Sequence, residues 1–200
     1  MERNRATLDA TLERVPAAGR ESVVPERDHA APAWTLTDTT PNERPLLRRM
    51  FELYLHDFSG MEPADLDEEG FFLPRAEPWL ARFHDHPGRR ALLLRAAGKP
   101  AGFALVEDES PLPEGAGCRY LAAFFVLRAY RRRGLGRAMA REIFKRWPGR
   151  WQVLEIKANP EAQSFWRRVI GDITAGLFEE RWISEREIVQ AFTVRRDLAS

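Results

Sequence analysis

The chain has 200 residues, 44% of them hydrophobic and 30% charged, enough to bury one core and too few to favour two full-sized domains. Its 31 basic and 30 acidic residues leave a formal charge of +1 and a pI near 8.0, so no global field draws it to nucleic acid or anionic lipid, and any basic patch is local. Cys118 is the only cysteine, which excludes an internal disulfide and a thiolate metal cage and suits a reducing, cytoplasmic compartment.

Residues 1–33 are rich in Arg, Glu, Ala and Pro with few large apolar side chains. That composition buries too little surface to offset chain entropy and reads as a mobile extension. Met1 to Val15 lacks the apolar run of a signal peptide, and no segment is long enough to span a membrane. The folded domain is expected over 34–200. It opens with "WTLTDTT" at Trp34, whose alternation predicts a first strand. Leu47, Met50, Phe51, Tyr54, Leu55 and Phe58 then recur at helical spacing up to Gly60. The acidic segment "MEPADLDEEGFFLP" reads as a loop of the kind that shapes pockets. A short helix is expected from Glu77 to His84, and two strands follow, Ala91 to Ala96 and Ala101 to Val106, around a Gly-Lys-Pro turn.

Tyr120 to Leu127 is apolar on both faces, as in a covered central strand. Helices are predicted from Gly136 to Trp147 and from Pro160, with Asn159 as cap, to Val169. "WQVLEIKAN" between them reads as a strand, and two strands near Thr174 to Arg181 and Glu187 to Val194 close the chain. The fold class is therefore mixed α/β, with about seven strands and four helices.

The turn "RRRGLGRA" joins a central strand to a helix. Unpaired amides and the positive end of the helix dipole make such a place an anion site. Gly134 and Gly136 let a phosphate approach the backbone, and Arg131, Arg132 and Arg133 can add charge-assisted hydrogen bonds. A dinucleotide fingerprint would need glycine at Met139, and a Walker loop would need Gly-Lys before Ser or Thr, so both are excluded. The alternative is a solvated basic turn. Nucleic-acid binding through these arginines fails on net charge and on the absence of interleaved exposed aromatics.

In combination with "NPEAQSFWRRVIG", this turn resembles the GNAT superfamily of N-acetyltransferases. Arg131, Gly134 and Gly136 match its turn motif, and Asn159, Ala162, Phe165 and Trp166 its later helix. "ELYLHDFSGM" and "AGFALV" extend the likeness to a group of predicted bacterial acetyltransferases, over roughly Trp34 to Arg195. The resemblance implies a mixed, largely antiparallel sheet and acetyl-CoA as acyl donor. It places the pyrophosphate on the amides of Arg132, Arg133, Gly134, Leu135, Gly136 and Arg137. The pantetheine arm is expected beside Phe125, Val126 and Leu127, with Asn159, Ala162 and Trp166 also lining the donor. The acceptor is expected to be a small-molecule amine, with no metal, no nucleic acid and no membrane involved, in a monomer or homodimer.

The chain departs from the superfamily where acid and base are common. Trp166 stands in place of a frequent tyrosine, and an indole N–H is no proton donor near neutral pH. Ala122 or Ala123 occupies the place of a frequent strand-four glutamate. Glu155 on the fifth strand is a replacement base or a solvent-facing residue. His56 and Asp57 end the first helix, where they serve either the acceptor or the helix end. Tyr54 falls on the apolar stripe and reads as core, and His84, Asp85 and His86 read as an exposed turn rather than a metal triad. The acidic loop suggests a cationic acceptor. A GNAT domain that binds acyl-CoA without efficient turnover is the competing reading.

Overall fold

The computed structural model describes residues 33–72 and 77–196. The extension expected over 1–33 lies outside the described residues except for Ala33. In chain order the elements are β1 (Trp34–Asp38), α1 (Arg44–Ser59), α2 (Glu77–Asp85), β2 (Arg89–Ala96), β3 (Lys99–Glu107) and β4 (Arg119–Val126). They continue as α3 (Leu135–Arg146), β5 (Gly149–Ile156), α4 (Pro160–Thr174), β6 (Phe178–Trp182) and β7 (Glu187–Val194). The seven strands form one sheet in the order β1-β2-β3-β4-β5-β7-β6. Every pairing is antiparallel except β4 with β5.

Alternation along the strands divides the core between two faces. Leu92, Leu94, Val106 and Leu121 pack with Met139, Ile143 and Phe144 of α3 and Val169 and Ile170 of α4. Leu93, Phe103, Leu105 and Phe125 pack with Leu47, Met50 and Phe51 of α1 and Leu80 and Phe83 of α2. Helices on both faces explain why β2 and β3 read as unbroken apolar runs. Each such side chain contributes about 1.5–3 kcal/mol on burial.

The expected elements are present with shifted ends. The β2–β3 turn is Ala97–Gly98, both at positive φ (48° and 74°), while Lys99 and Pro100 already pair within the ladder. Helix α4 runs to Thr174 instead of stopping near Val169. Gly171 does not end it, and Ile170 and Ile173 keep its apolar face on the core. Ala175 at φ 53° caps it, so β6 begins only at Phe178.

Two irregularities prepare a site. The parallel ladder between β4 and β5 covers only Arg119↔Trp151 to Leu121↔Val153. Beyond it β4 stays with β3 and β5 with β7, so the two strands diverge. At the same level the β3–β4 register passes from Leu105↔Ala123 to Val106↔Leu121. Ala122 is the extra residue of a bulge, a device that bends and re-aims a strand. Close approach of β3 to β4 also demands Gly102, where a Cβ would lie 2.3 Å from the Phe125 carbonyl oxygen.

Candidate active site

The turn after β4 delivers its backbone amides into open space. Arg132 (φ 60°) and Gly134 (φ 79°) both adopt the left-handed conformation that reverses the chain into α3. Gly134 is the N-cap, and no side chain caps the helix. The first intrahelical bond is Ala138 N–H to Gly134 C=O, 3.0 Å. The amides of Leu135, Gly136 and Arg137 therefore have no partner within the helix. A Cβ on Gly136 would meet Phe165 at 3.5 and 3.6 Å and Val126 at 3.8 Å, ordinary contact distances. Packing within the protein does not require glycine there, and the missing side chain keeps the amides approachable.

The three arginines of this turn divide their roles. Arg131 Nε donates to the Val126 carbonyl at 2.6 Å, its Nη2 pairs with Asp57, and its guanidinium lies 5.5 Å from the Phe125 ring. Its guanidinium is thus engaged within the protein, tying the turn to β4 and α1. Arg132 is highly exposed and 3.8 Å from the equally exposed Glu161, a pair of little strength. Arg133 is exposed as well. Arg137 pairs with Asp172 at 3.0 Å.

The open edge of β4 also differs from the expected one. Leu127 N–H donates to Ala101 C=O of the neighbouring segment at 2.9 Å. Alternation then turns the Phe125 amide toward β3 as well, and aims those of Phe124 and Val126 into the gap beside β5. The amides of Phe124 and Val126 therefore face the gap, whereas those of Phe125 and Leu127 are turned to β3. Periodicity in sequence shows a strand's faces but not which edge is paired.

On the α1 side, at the end of β5, a cleft is lined by Met61, Glu62, Pro63, Ile156, Lys157 and Arg186. Met61, Glu62 and Pro63 open the segment read from sequence as an acidic loop, whereas Ile156, Lys157 and Arg186 were not singled out. The remainder of that loop is partly self-satisfied, since Asp67 accepts from the amides of Glu69 (3.0 Å) and Phe71 (2.8 Å). Lys157 and Arg186 give the cleft positive charge beside Glu62, so the acidic loop alone does not set its polarity.

Residues 47–171 match the model of the acetyltransferase (GNAT) family. The chain belongs to this family. Its class is therefore acyl transfer. No curated protein matches the chain. Among solved structures it is similar to an acetyltransferase from Thermus thermophilus, at 23% identity and TM-score 0.59 over 80% of this chain and 97% of that one. A GNAT-family acetyltransferase from Bacillus cereus gives 13% and 0.56 over 82% and 99%. A spermidine N-acetyltransferase from Vibrio cholerae, solved with CoA and spermine, gives 10% and 0.56 over 84% and 98%. These likenesses establish the GNAT fold.

Within that fold the expected catalytic side chains separate. Asp57 is held by Arg131 and by Arg128, whose Nε and Nη2 lie 3.0 and 2.8 Å from Oδ1. Burial alone would raise its carboxyl, but the two guanidinium groups outweigh burial and hold it below the ordinary range. It ties α1 to the turn and is poorly suited to take a proton. His56 is exposed at the end of α1 with its ring 6.3 Å from that of Phe72. Glu155 shares the sheet face of Trp151 and Val153, the α3/α4 face, whereas Ile156 on the opposite face lines the cleft. It is neither solvent-facing nor aimed at the cleft.

The α4 residues are placed mainly by packing. Asn159 Oδ1 accepts from Ala162 N–H at 3.1 Å as the helix cap. Gln163 Nε2 donates to the carbonyls of Ile156 (3.0 Å) and Lys157 (3.2 Å), fixing α4 to the end of β5. Ala162 packs against the α3/α4 core. Trp166 is buried against Phe124, Phe144 and Phe165, at ring distances of 5.0, 6.2 and 4.9 Å. On the other face Tyr54 stacks with Phe58, Phe103 and Phe125. Burial raises its hydroxyl, and burial followed by Glu107 and Glu187 pushes Tyr120 up to about 12. Among the described residues no cluster of His, Cys, Asp and Glu could hold a metal ion, and no helix is long and apolar enough to cross a membrane.

Proposed function

We propose that the protein moves an acetyl group from acetyl-CoA to a primary amine of a small molecule, by direct attack in a ternary complex. The observation that carries this reading is the uncapped amino end of α3 beside the unpaired edge of β4. Phosphate oxygens fit the first, and the amide groups of a pantetheine arm fit the second. The residues present suit such a donor, because the glycine at 136 leaves the cradle unfilled. Arg132 and Arg133 add positive charge at its rim.

The acceptor enters through the cleft between Glu62, Lys157 and Arg186. Its neutral nitrogen attacks the thioester carbonyl, and the Phe124 and Val126 amides face the gap where the oxyanion develops. Alignment of the two reactants supplies much of the rate, and ordered water takes the ammonium proton before attack. The GNAT relative solved with CoA and spermine supports the pairing of donor and amine. Localisation in the cytoplasm and a monomeric or dimeric state accord with this reading.

Ala122, Ala123 and Trp166 favour a second reading, an acyl-CoA-binding module with little turnover. Calorimetry with acetyl-CoA, with ADP as control, tests the donor. Thiol release from acetyl-CoA in the presence of spermidine, lysine and short peptides tests the transfer. Micromolar binding with amine-stimulated release is the expected result. Binding with only slow, amine-independent hydrolysis selects the module, and a flat acetyl-CoA trace overturns both readings.

A further inference from the structure

We propose that the acceptor is a zwitterion, an amine that also bears a carboxylate and an apolar side chain, as an amino acid does. The inference rests on the acyl-transfer reading above and names the class of molecule that the acceptor cleft selects. Two hollows adjoin where β5 ends and β7 begins. One is the cleft beside Glu62 and Ile156, the other is lined by Trp182, Ile183 and Glu185, and Lys157 and Arg186 border both.

The two cations are held side by side. The ladder between β5 and β7 ends at Ile156↔Glu187. Lys157 N–H then donates to Arg186 C=O at 2.7 Å, so these residues form the next pair across the strands. Like charges in such positions repel each other. Neither side chain has an ion-pair partner among the described residues. The neighbouring carboxylate of Glu187 accepts instead from the Ser184 hydroxyl at 3.1 Å, and Glu62 and Glu185 border the hollows without pairing with either cation. A bound carboxylate would relieve the repulsion and accept hydrogen bonds from both the ammonium and the guanidinium.

The flanks of this pair supply the rest of the recognition. Glu62 attracts the amine in its ammonium form before the proton is lost. Trp182 is 53% exposed, and the Lys157 ammonium lies 5.8 Å from its ring. The indole and Ile183 thus offer an apolar surface next to the place for the carboxylate, which an aliphatic or aromatic side chain can cover. A polyamine would gain from Glu62 but meet Lys157 and Arg186 with its other charges. The acidic loop alone favours a cation, whereas the two hollows together favour a molecule of both signs.

Matched acceptors test this. Phenylalaninamide keeps the amine and ring of phenylalanine and loses only the carboxylate. In thiol release from acetyl-CoA, kcat/KM should favour phenylalanine by about 10- to 100-fold, the loss expected with a charge-assisted hydrogen bond, and the difference should lie in KM. In the variant carrying Lys157→Met and Arg186→Met the ratio should fall to about one, while the Kd for acetyl-CoA stays within about twofold. Trp182→Ala should remove the advantage of phenylalanine over glycine, up to about tenfold. Preference of the native protein for phenylalaninamide, spermidine or phosphoethanolamine, or a ratio unchanged in the double variant, would overturn the proposal. If no amine is turned over, calorimetry of the same compounds on the CoA complex decides: tighter binding of phenylalanine than of phenylalaninamide supports it, and equal or absent heats overturn it. Failure of the underlying reading is distinct, since the native protein would then not bind acetyl-CoA.

Discussion

Replacing Gly136 by alanine separates stability from donor binding. The new Cβ would sit 3.5 and 3.6 Å from Phe165 ring carbons and 3.8 Å from Val126 Cγ2, so no atom has to move. Glycine in the first turn of a helix costs up to about 1 kcal/mol relative to alanine. The variant should therefore melt about 2–4 °C higher. The same methyl group occupies the approach to amides of Leu135, Gly136 and Arg137, which lack intrahelical partners. Losing one charge-assisted hydrogen bond there costs about 1.5–3 kcal/mol, or a Kd for acetyl-CoA weaker by about 10- to 100-fold. Thermal melting and calorimetry on one preparation read both effects. A higher Tm with unchanged Kd would refute the placement of the pyrophosphate. Gly134 is a less clean probe. Its φ of 79° strains any L side chain by about 1–2 kcal/mol, so lost binding there would mix with a disturbed turn.

Three further outcomes follow from the packing. Asp57→Asn should cost about 1–3 kcal/mol in urea denaturation at pH 7, through the bonds to Arg128 and Arg131. Because the native carboxyl is depressed, that contribution is complete above the unfolded value near 3.9 and disappears as pH falls through the lower native one. The two proteins should converge in strong acid, and a difference that persists there would refute the ion-pair account. Glu155 has the opposite sign. Its native carboxyl is raised, so the cost of keeping it buried grows from the unfolded value near 4.3 up to about 8. Glu155→Gln should match the native protein near pH 4 and exceed it at pH 8, by no more than about 5 kcal/mol. Equal stability at both pH values would refute its burial as an acid. Gly102→Ala forces a Cβ to 2.3 Å from a backbone oxygen and should cost about 3 kcal/mol. A native-like denaturation midpoint would show that β3 and β4 do not approach so closely.

The local elements were legible because their causes are local. Helical spacing from Leu47 to Phe58 and the Asn159-Pro160 start predicted α1 and α4, and both form. Helix α4 outruns its expected end at Val169 because burial of Ile170 and Ile173 carries it onward. The turn between strand and helix was readable from "RRRGLG". Its division of labour was not, because Arg131 is claimed by Asp57, 74 positions away in sequence.

By itself, then, the order of apolar periods, turns and the strand-to-helix glycines determined the fold, since each depends on residues a few positions apart. Tertiary structure alone decided where β4 and β5 part, that Phe124 and Val126 direct their amides into the gap, and which residues line the cleft. It also decided that Glu155 is buried without a partner among the described residues. Strand pairing, edge exposure and desolvation are set by segments distant in the chain, and no local pattern encodes them.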